Sequence, residues 1–260
     1  MHERTSSALF VTWNVERKNP SSRQALTMVE RIAALSPDVV CLTEAFEGST
    51  AELGGFVISV KGVSWSREVA LERKVVLWSR NPWTYVDPLG NQELQTGGFI
   101  AATTRTPLGD IRVLGVCIPY HLASPMGVVP RCPAWSQQIL FLEGLKHVVA
   151  SKSAELPMVV LGDYNQFVPR IWGPKAASLA LSEALKGLSI CTGGQINGVD
   201  RPAIDHIALS PELQSLSVWG IDEHDGDGRK MSDHFGVAVR ADLALSPLDE
   251  KYDISGSLLP

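Results

Sequence analysis

At 260 residues the chain is near the upper size for a single hydrophobic core, so one large domain or two small ones are both open. Hydrophobic residues make up 45% and charged residues 20%, which excludes a disordered chain and supplies apolar material for a multilayer core. The formal net charge of −5 excludes a protein that wraps nucleic acid with its whole surface, while leaving room for a local basic rim.

Ala8–Val15 is a short apolar run rich in β-formers and reads as a buried strand. Arg23–Leu35 puts Leu26, Val29, Ile32 and Ala33 on one helical face, and Pro37 enforces the stop. Asp38–Thr43 is the next buried strand, with Glu44 at its end. Further strands are expected at Gly55–Val60, Lys74–Ser79, Gly98–Thr104, Ile111–Pro119, Met158–Gly162, Ile204–Leu209 and Phe235–Arg240. Ala134–Ala150 and Pro174–Lys186 read as helices, and Asn81-Pro82, Pro88–Gly90 and Thr106–Gly109 as turns. Strands outnumber helices and many lack a polar face. Two stacked sheets with helices packed outside would bury them on both sides. No fixed-period repeat, low-complexity tract or internal linker interrupts the pattern. One domain over 1–245 is expected, followed by a polar tail at 246–260.

Cys41 and Cys117 lie in apolar runs, and with Cys132 and Cys191 they form no CxxC pair, so neither a disulfide framework nor a structural zinc site is indicated. No segment approaches the roughly 20 continuous apolar residues that span a bilayer, and Ala8–Trp13 is too short for a signal-peptide core. These features imply a reduced, cytoplasmic protein without stable membrane insertion.

Five apolar strands end in, or open from, polar side chains that are costly to bury unless a site uses them. Asn14 and Glu44 each supply a hard oxygen, a combination that suits Mg²⁺ or Mn²⁺; alone, Asn14 is also an ordinary turn residue. Asp163 and Asn165, two apart after MVVLG, would point the same way in an extended segment and could orient a water. Asp205-His206 and Asp233-His234 each open an apolar strand. A histidine there can serve as base or phosphate ligand, with a carboxylate fixing its tautomer.

The ordered series TWN at 12–14, PDVVCLTE at 37–44, His-Leu at 121–122, GDYN at 162–165, IDH at 204–206 and SDH at 232–234 resembles the endonuclease/exonuclease/phosphatase superfamily from Leu9 to about Val239. The resemblance implies a four-layer α/β/β/α sandwich, with two mainly antiparallel sheets face to face and the site at one edge. It implies that Asn14 and Glu44 bind the catalytic metal, and that Asp233 is a further carboxylate on the metal side. Asp163 would orient or deprotonate the attacking water, and Asn165 would steady the scissile phosphate. His234 would contact the phosphate with Asp205 as its orienting partner, and His121 would stand by the leaving group, a place some members give to a tyrosine such as Tyr120.

Arg17, Lys18, Arg131, Arg170, Lys175, Arg229 and Lys230 follow or precede these motifs, and converging loops would gather them into a cationic rim; solvated loops also carry charge for no such reason. Trp135 and Trp172 could stack on bases or hold an apolar group, though tryptophan is more often a packing residue. Arg17, Arg170 and Trp172 are the substrate-binding candidates. The leading expectation is a metal-dependent phosphodiesterase acting on DNA or RNA. The alternatives are a phosphohydrolase acting on a small molecule or lipid headgroup, and a non-catalytic binding protein of the same fold.

Overall fold

The computed structural model describes residues 6–62, 69–152 and 156–244. The chain runs β1 (Ala8–Asn14), α1 (Arg23–Ala34), β2 (Val39–Phe46), β3 (Phe56–Val60), β4 (Glu72–Ser79), β5 (Trp83–Asp87), β6 (Gly98–Thr106) and β7 (Gly109–Cys117). It continues with α2 (Ser136–Lys152), β8 (Met158–Asp163), α3 (Lys175–Ala184), β9 (Ser189–Ile190), β10 (Asp205–Leu209), β11 (Leu213–Ile221) and β12 (Gly236–Leu243). The strands form two six-stranded sheets, ordered β11-β12-β1-β2-β4-β3 and β5-β6-β7-β8-β10-β9. Pairing is parallel for β1 with β2 and for β7 with β8, and antiparallel elsewhere. The expected four-layer arrangement with mainly antiparallel sheets is what the chain adopts.

Strand periodicity explains the layers. In β1, Ala8 and Phe10 join Cys41, Leu77, Val113 and Leu161 in the core between the sheets. Leu9, Val11 and Trp13 face the other way, against Met28 and Ile32 of α1. Likewise Ile111 and Val113 of β7 point inward, while Leu114 and Val116 pack outward against Phe141 and Leu145 of α2 and Leu181 of α3. Gly115 lies on the inward face, where an added Cβ would fall 2.8 Å from Leu77 and Val75, so its missing side chain lets the sheets close together.

Helix α1 starts where expected, with the Ser22 hydroxyl accepting the Ala25 N–H at 3.2 Å. Helix α2 starts two residues later than expected, because Trp135 sits at φ +69° and cannot belong to its first turn. Three strands were not anticipated. Strand β5 is short and largely exposed, β9 has only two residues, and β11 carries polar Gln214, Ser215 and Ser217 on a mostly exposed stretch. The proposed tail at 246–260 lies outside the described residues. Among the described residues no helix is long and apolar enough to cross a membrane.

The register sets polar ends side by side. Asn14 is level with Thr43 across β1 and β2, Asp163 with Asp205 across β8 and β10, and Asp163 with Cys117 across β7 and β8.

Candidate active site

The polar strand ends open onto a cleft of about 390 Å³, lined by Asn14, Glu16, Arg17, Glu44, Tyr120, Asp163, Asn165, Asp233 and His234. Among the described residues eight non-glycine residues have positive φ, and four of them, Glu16, Arg17, Glu44 and Asn165, line this cleft. Backbone strain of this kind persists only where surrounding structure enforces it, and here it is concentrated at one place.

Asp163 lies at the centre. Its Oδ2 accepts hydrogen bonds from the amides of Asn14 and Asn165, each at 3.0 Å, and its Oδ1 accepts the Asn165 N–H at 2.8 Å. Burial, and next the charge of Asp205, raise this carboxyl to about 7 despite those donors. The Asn165 amide nitrogen also donates to Ile118 O at 2.9 Å, so one of its hydrogens holds Asp163 and the other ties the side chain to the backbone beyond β7.

His234 donates from Nδ1 to Asp205 Oδ2 in a very short hydrogen bond. Burial alone would lower the imidazole, but the carboxylates of Asp205, Asp163 and Asp233 outweigh it and raise the group to about 10. At neutral pH it is therefore an imidazolium with Nε2 available on the cleft side, 3.8 Å from Asp233 Oδ1. The loop before β12 is laced to the end of β1. Ser232 Oγ donates to Asn14 O at 2.6 Å, Trp13 Nε1 donates to His234 O at 2.9 Å, and the Asp233 N–H donates to Glu16 at 3.0 Å.

Glu44 enters from the other side of the cleft on β2. Its carboxylate meets Arg17 at 2.8 Å and the buried Lys74 of β4 at 3.5 Å, and Glu72 lies beyond them at 3.8 and 4.0 Å. Sequence reasoning did not single out Glu16, Lys74 or Glu72, and it gave Ser232 of the SDH motif no role. Lys74 and Glu72 become neighbours of Glu44 only through the β2–β4 register, whereas Glu16 carries a readable signal in its spacing of two from Asn14.

Other candidates fall elsewhere. Tyr120 lines the cleft, while His121 beside it turns into an aromatic cluster, its ring centroid 5.5 Å from Trp135 and 4.9 Å from Trp172. The two histidines of the DH pairs also part. His206 is buried away from the cleft, between the Thr192 hydroxyl at 2.9 Å and Gln166 O at 3.0 Å, and burial lowers its pKa. Arg170 is exposed and donates to Gly173 O at 2.8 Å. The basic rim divides: Arg17, Lys18 and Arg229 face carboxylates, the last at 3.9 Å, whereas Arg131, Arg170, Lys175 and Lys230 are exposed.

The profile described as the Endonuclease/Exonuclease/phosphatase family matches residues 11–234, a span holding every lining residue of the cleft. The chain belongs to this family. Solved members share its architecture at low identity. An endonuclease/exonuclease/phosphatase from Beutenbergia cavernae DSM 12333 superposes with a TM-score of 0.62 at 19% identity, over 92% of this chain and 72% of that one. An AP endonuclease from Archaeoglobus fulgidus gives 0.65 at 16% over 92% and 100%. D. rerio TDP2 complexed with a single-strand DNA product gives 0.64 at 14% over 91% and 99%. No curated relative matches the chain in sequence. Endonuclease/exonuclease/phosphatase members hydrolyse phosphoesters, and the cleft of this member is lined by carboxylate, amide and imidazole groups.

Proposed function

We propose that the chain is a divalent-metal-dependent phosphodiesterase that drives a water onto phosphorus by in-line attack. The observation that carries this reading is the gathering of two hydrogen-bonded groups, Asn14 with Asp163 and Asn165, and Asp205 with His234, at a cleft that Glu44 also lines. Ligand atoms of Asp163, Asp205 and His234 lie within 4.8 Å of one another. Asn14, Glu44 and Asp233 fit a hard cation, since all three offer oxygen and each borders the cleft. A carboxylate such as Glu44 has lone pairs enough to serve a cation as well as Arg17 and Lys74. Mg²⁺ or Mn²⁺ bound there supplies neutralisation of the phosphoryl charge.

The protein's own groups divide the remaining work. Asp163, near 7, takes the proton of the attacking water as the new P–O bond forms. Asn14 and Asn165 hold its carboxylate at fixed orientation. His234, held as imidazolium by Asp205, donates from Nε2 to a non-bridging phosphoryl oxygen. Tyr120, which lines the cleft where His121 does not, donates to the departing oxygen as its bond to phosphorus breaks.

A panel of bis(p-nitrophenyl) phosphate, labelled DNA and RNA, nucleotides, phosphoinositides and sphingomyelin tests the reading. The expected result is diester hydrolysis that needs Mg²⁺ or Mn²⁺, stops with EDTA and is lost in Asp163→Asn. Hydrolysis that survives EDTA, or none on any phosphoester, overturns it.

A further inference from the structure

Beside the cleft, two loops display large apolar side chains to solvent. The loop from His121 to Trp135 is closed by the Trp135 N–H donating to His121 O at 2.6 Å and braced by the Cys132 N–H on Ser124 Oγ at 3.1 Å. It exposes Leu122, Met126, Val128 and Val129, the last to 91%. The second loop, anchored where the Gly194 N–H meets Val168 O at 2.6 Å, exposes Ile171 and Trp172 to 62% and 56%. The loops meet in the cluster of His121, Trp135 and Trp172, whose two indole centroids are 5.0 Å apart. Anchored backbones hold these side chains outward, and apolar display of this kind marks an interaction site.

Charge points to the partner. The protein carries a net −5, yet no Asp or Glu occurs in 118–142 or in 164–182. The same loops carry Arg131, Arg170 and Lys175, all exposed. Exposed aliphatic side chains, indoles and cations together are the groups that the acyl chains, interface and phosphates of an anionic bilayer respectively accept. A nucleic-acid base asks instead for planar faces, and the most exposed side chains here, Val129 and Ile171, are branched aliphatics.

We infer that these two loops form a docking face for anionic phospholipid membranes, reversible and without a spanning segment. The face adjoins Tyr120, whose ring lies 5.9 Å from that of His121, so docking brings the cleft to the headgroup layer. As far as it concerns substrate, the inference rests on the phosphodiesterase reading and narrows it to a phosphoester presented at a lipid surface.

Vesicle flotation of the full chain in EDTA tests docking apart from catalysis, using phosphatidylcholine with and without phosphatidylserine. The protein should float with the anionic vesicles and little with the neutral ones, and added salt should release it. Val129→Asp combined with Ile171→Asp should weaken binding by at least about ten-fold while leaving the melting curve in place, since both side chains are exposed. Arg131→Ala and Lys175→Ala should each weaken it by about five-fold. No flotation, or flotation unchanged by the Asp pair, overturns the inference. So does a single-stranded oligonucleotide that the Asp pair releases when vesicles are never bound. Because no metal is present, failure here leaves the hydrolase reading standing, and failure to hydrolyse bis(p-nitrophenyl) phosphate leaves docking standing.

Discussion

Replacing Gly162 with alanine should cost more stability than any single loss of a contact at the cleft. Gly162 sits at φ +143°, paired with Val116 in the parallel join of β7 and β8, and an added Cβ would fall 1.9 Å from Val116 O. An ordinary carbon–oxygen contact is about 3.3 Å, so the two strands must part by roughly 1.4 Å in the middle of a six-stranded sheet. Opening the ladder there costs about 1–3 kcal/mol for a buried group left unpaired, and the backbone conformation adds about 1–3 kcal/mol. The sum of roughly 2–6 kcal/mol is a large part of the 5–15 kcal/mol typical of a folded domain. Gly109→Ala is the control: its φ is +98° but nothing lies within 4 Å, so only the backbone strain of about 1–3 kcal/mol applies. Urea unfolding followed by tryptophan fluorescence measures both variants. If Gly162→Ala stays within about 1 kcal/mol of the parent, or loses no more than Gly109→Ala, the argument from strand contact is wrong.

Glu44→Ala should abolish metal-dependent turnover in a chain that still folds; near-parental activity would remove Glu44 from the metal site. His234→Ala should lower kcat at least about 10²-fold, the loss expected for a group that manages protons, and an unchanged rate would place that chemistry elsewhere. His206 should make the fold acid-sensitive. Its folded pKa is lowered below 6.5 by burial, so the unfolded chain binds the extra proton first and stability falls as pH drops below about 6.5 toward the folded value. Urea midpoints between pH 7.5 and 5 should therefore decline less steeply in His206→Gln than in the parent, and parallel slopes would count against it.

The layers were readable because Ala8–Asn14, Val39–Thr43 and Met158–Asp163 are buried on both faces, and sequences of that kind are continuous apolar runs. Strands β5 and β11 escaped notice because edge position leaves them exposed, so tertiary pairing and not burial makes them strands. Asn14, Glu44, Asp163 and His234 were legible as polar groups at the ends of apolar runs, and all four line one cleft. Neither the separate fates of Asp205 and His206 nor the inward turn of Tyr120 beside His121 could be read. Adjacent residues look alike in a pattern, yet alternation along β10 sends Asp205 and His206 to opposite faces, and the turn that follows β7 parts His121 from Tyr120. The ion pair that occupies Arg17 was invisible for a different reason, since its partner Glu44 is near in space and far in sequence.

Strand β12 lies between β11 and β1, so the sheet that begins with residues 8–14 is completed by residues 236–243. The acids at Asp163 and Asp205 therefore meet their imidazole partner only through a segment that lies 29 positions beyond Asp205 and leads into β12. A chain cut between residues 206 and 233 would keep both acids and lose the imidazole that faces them, together with the strand that joins β11 to β1. The two ends of the described fold thus share one sheet, and the cleft is complete only when they have met.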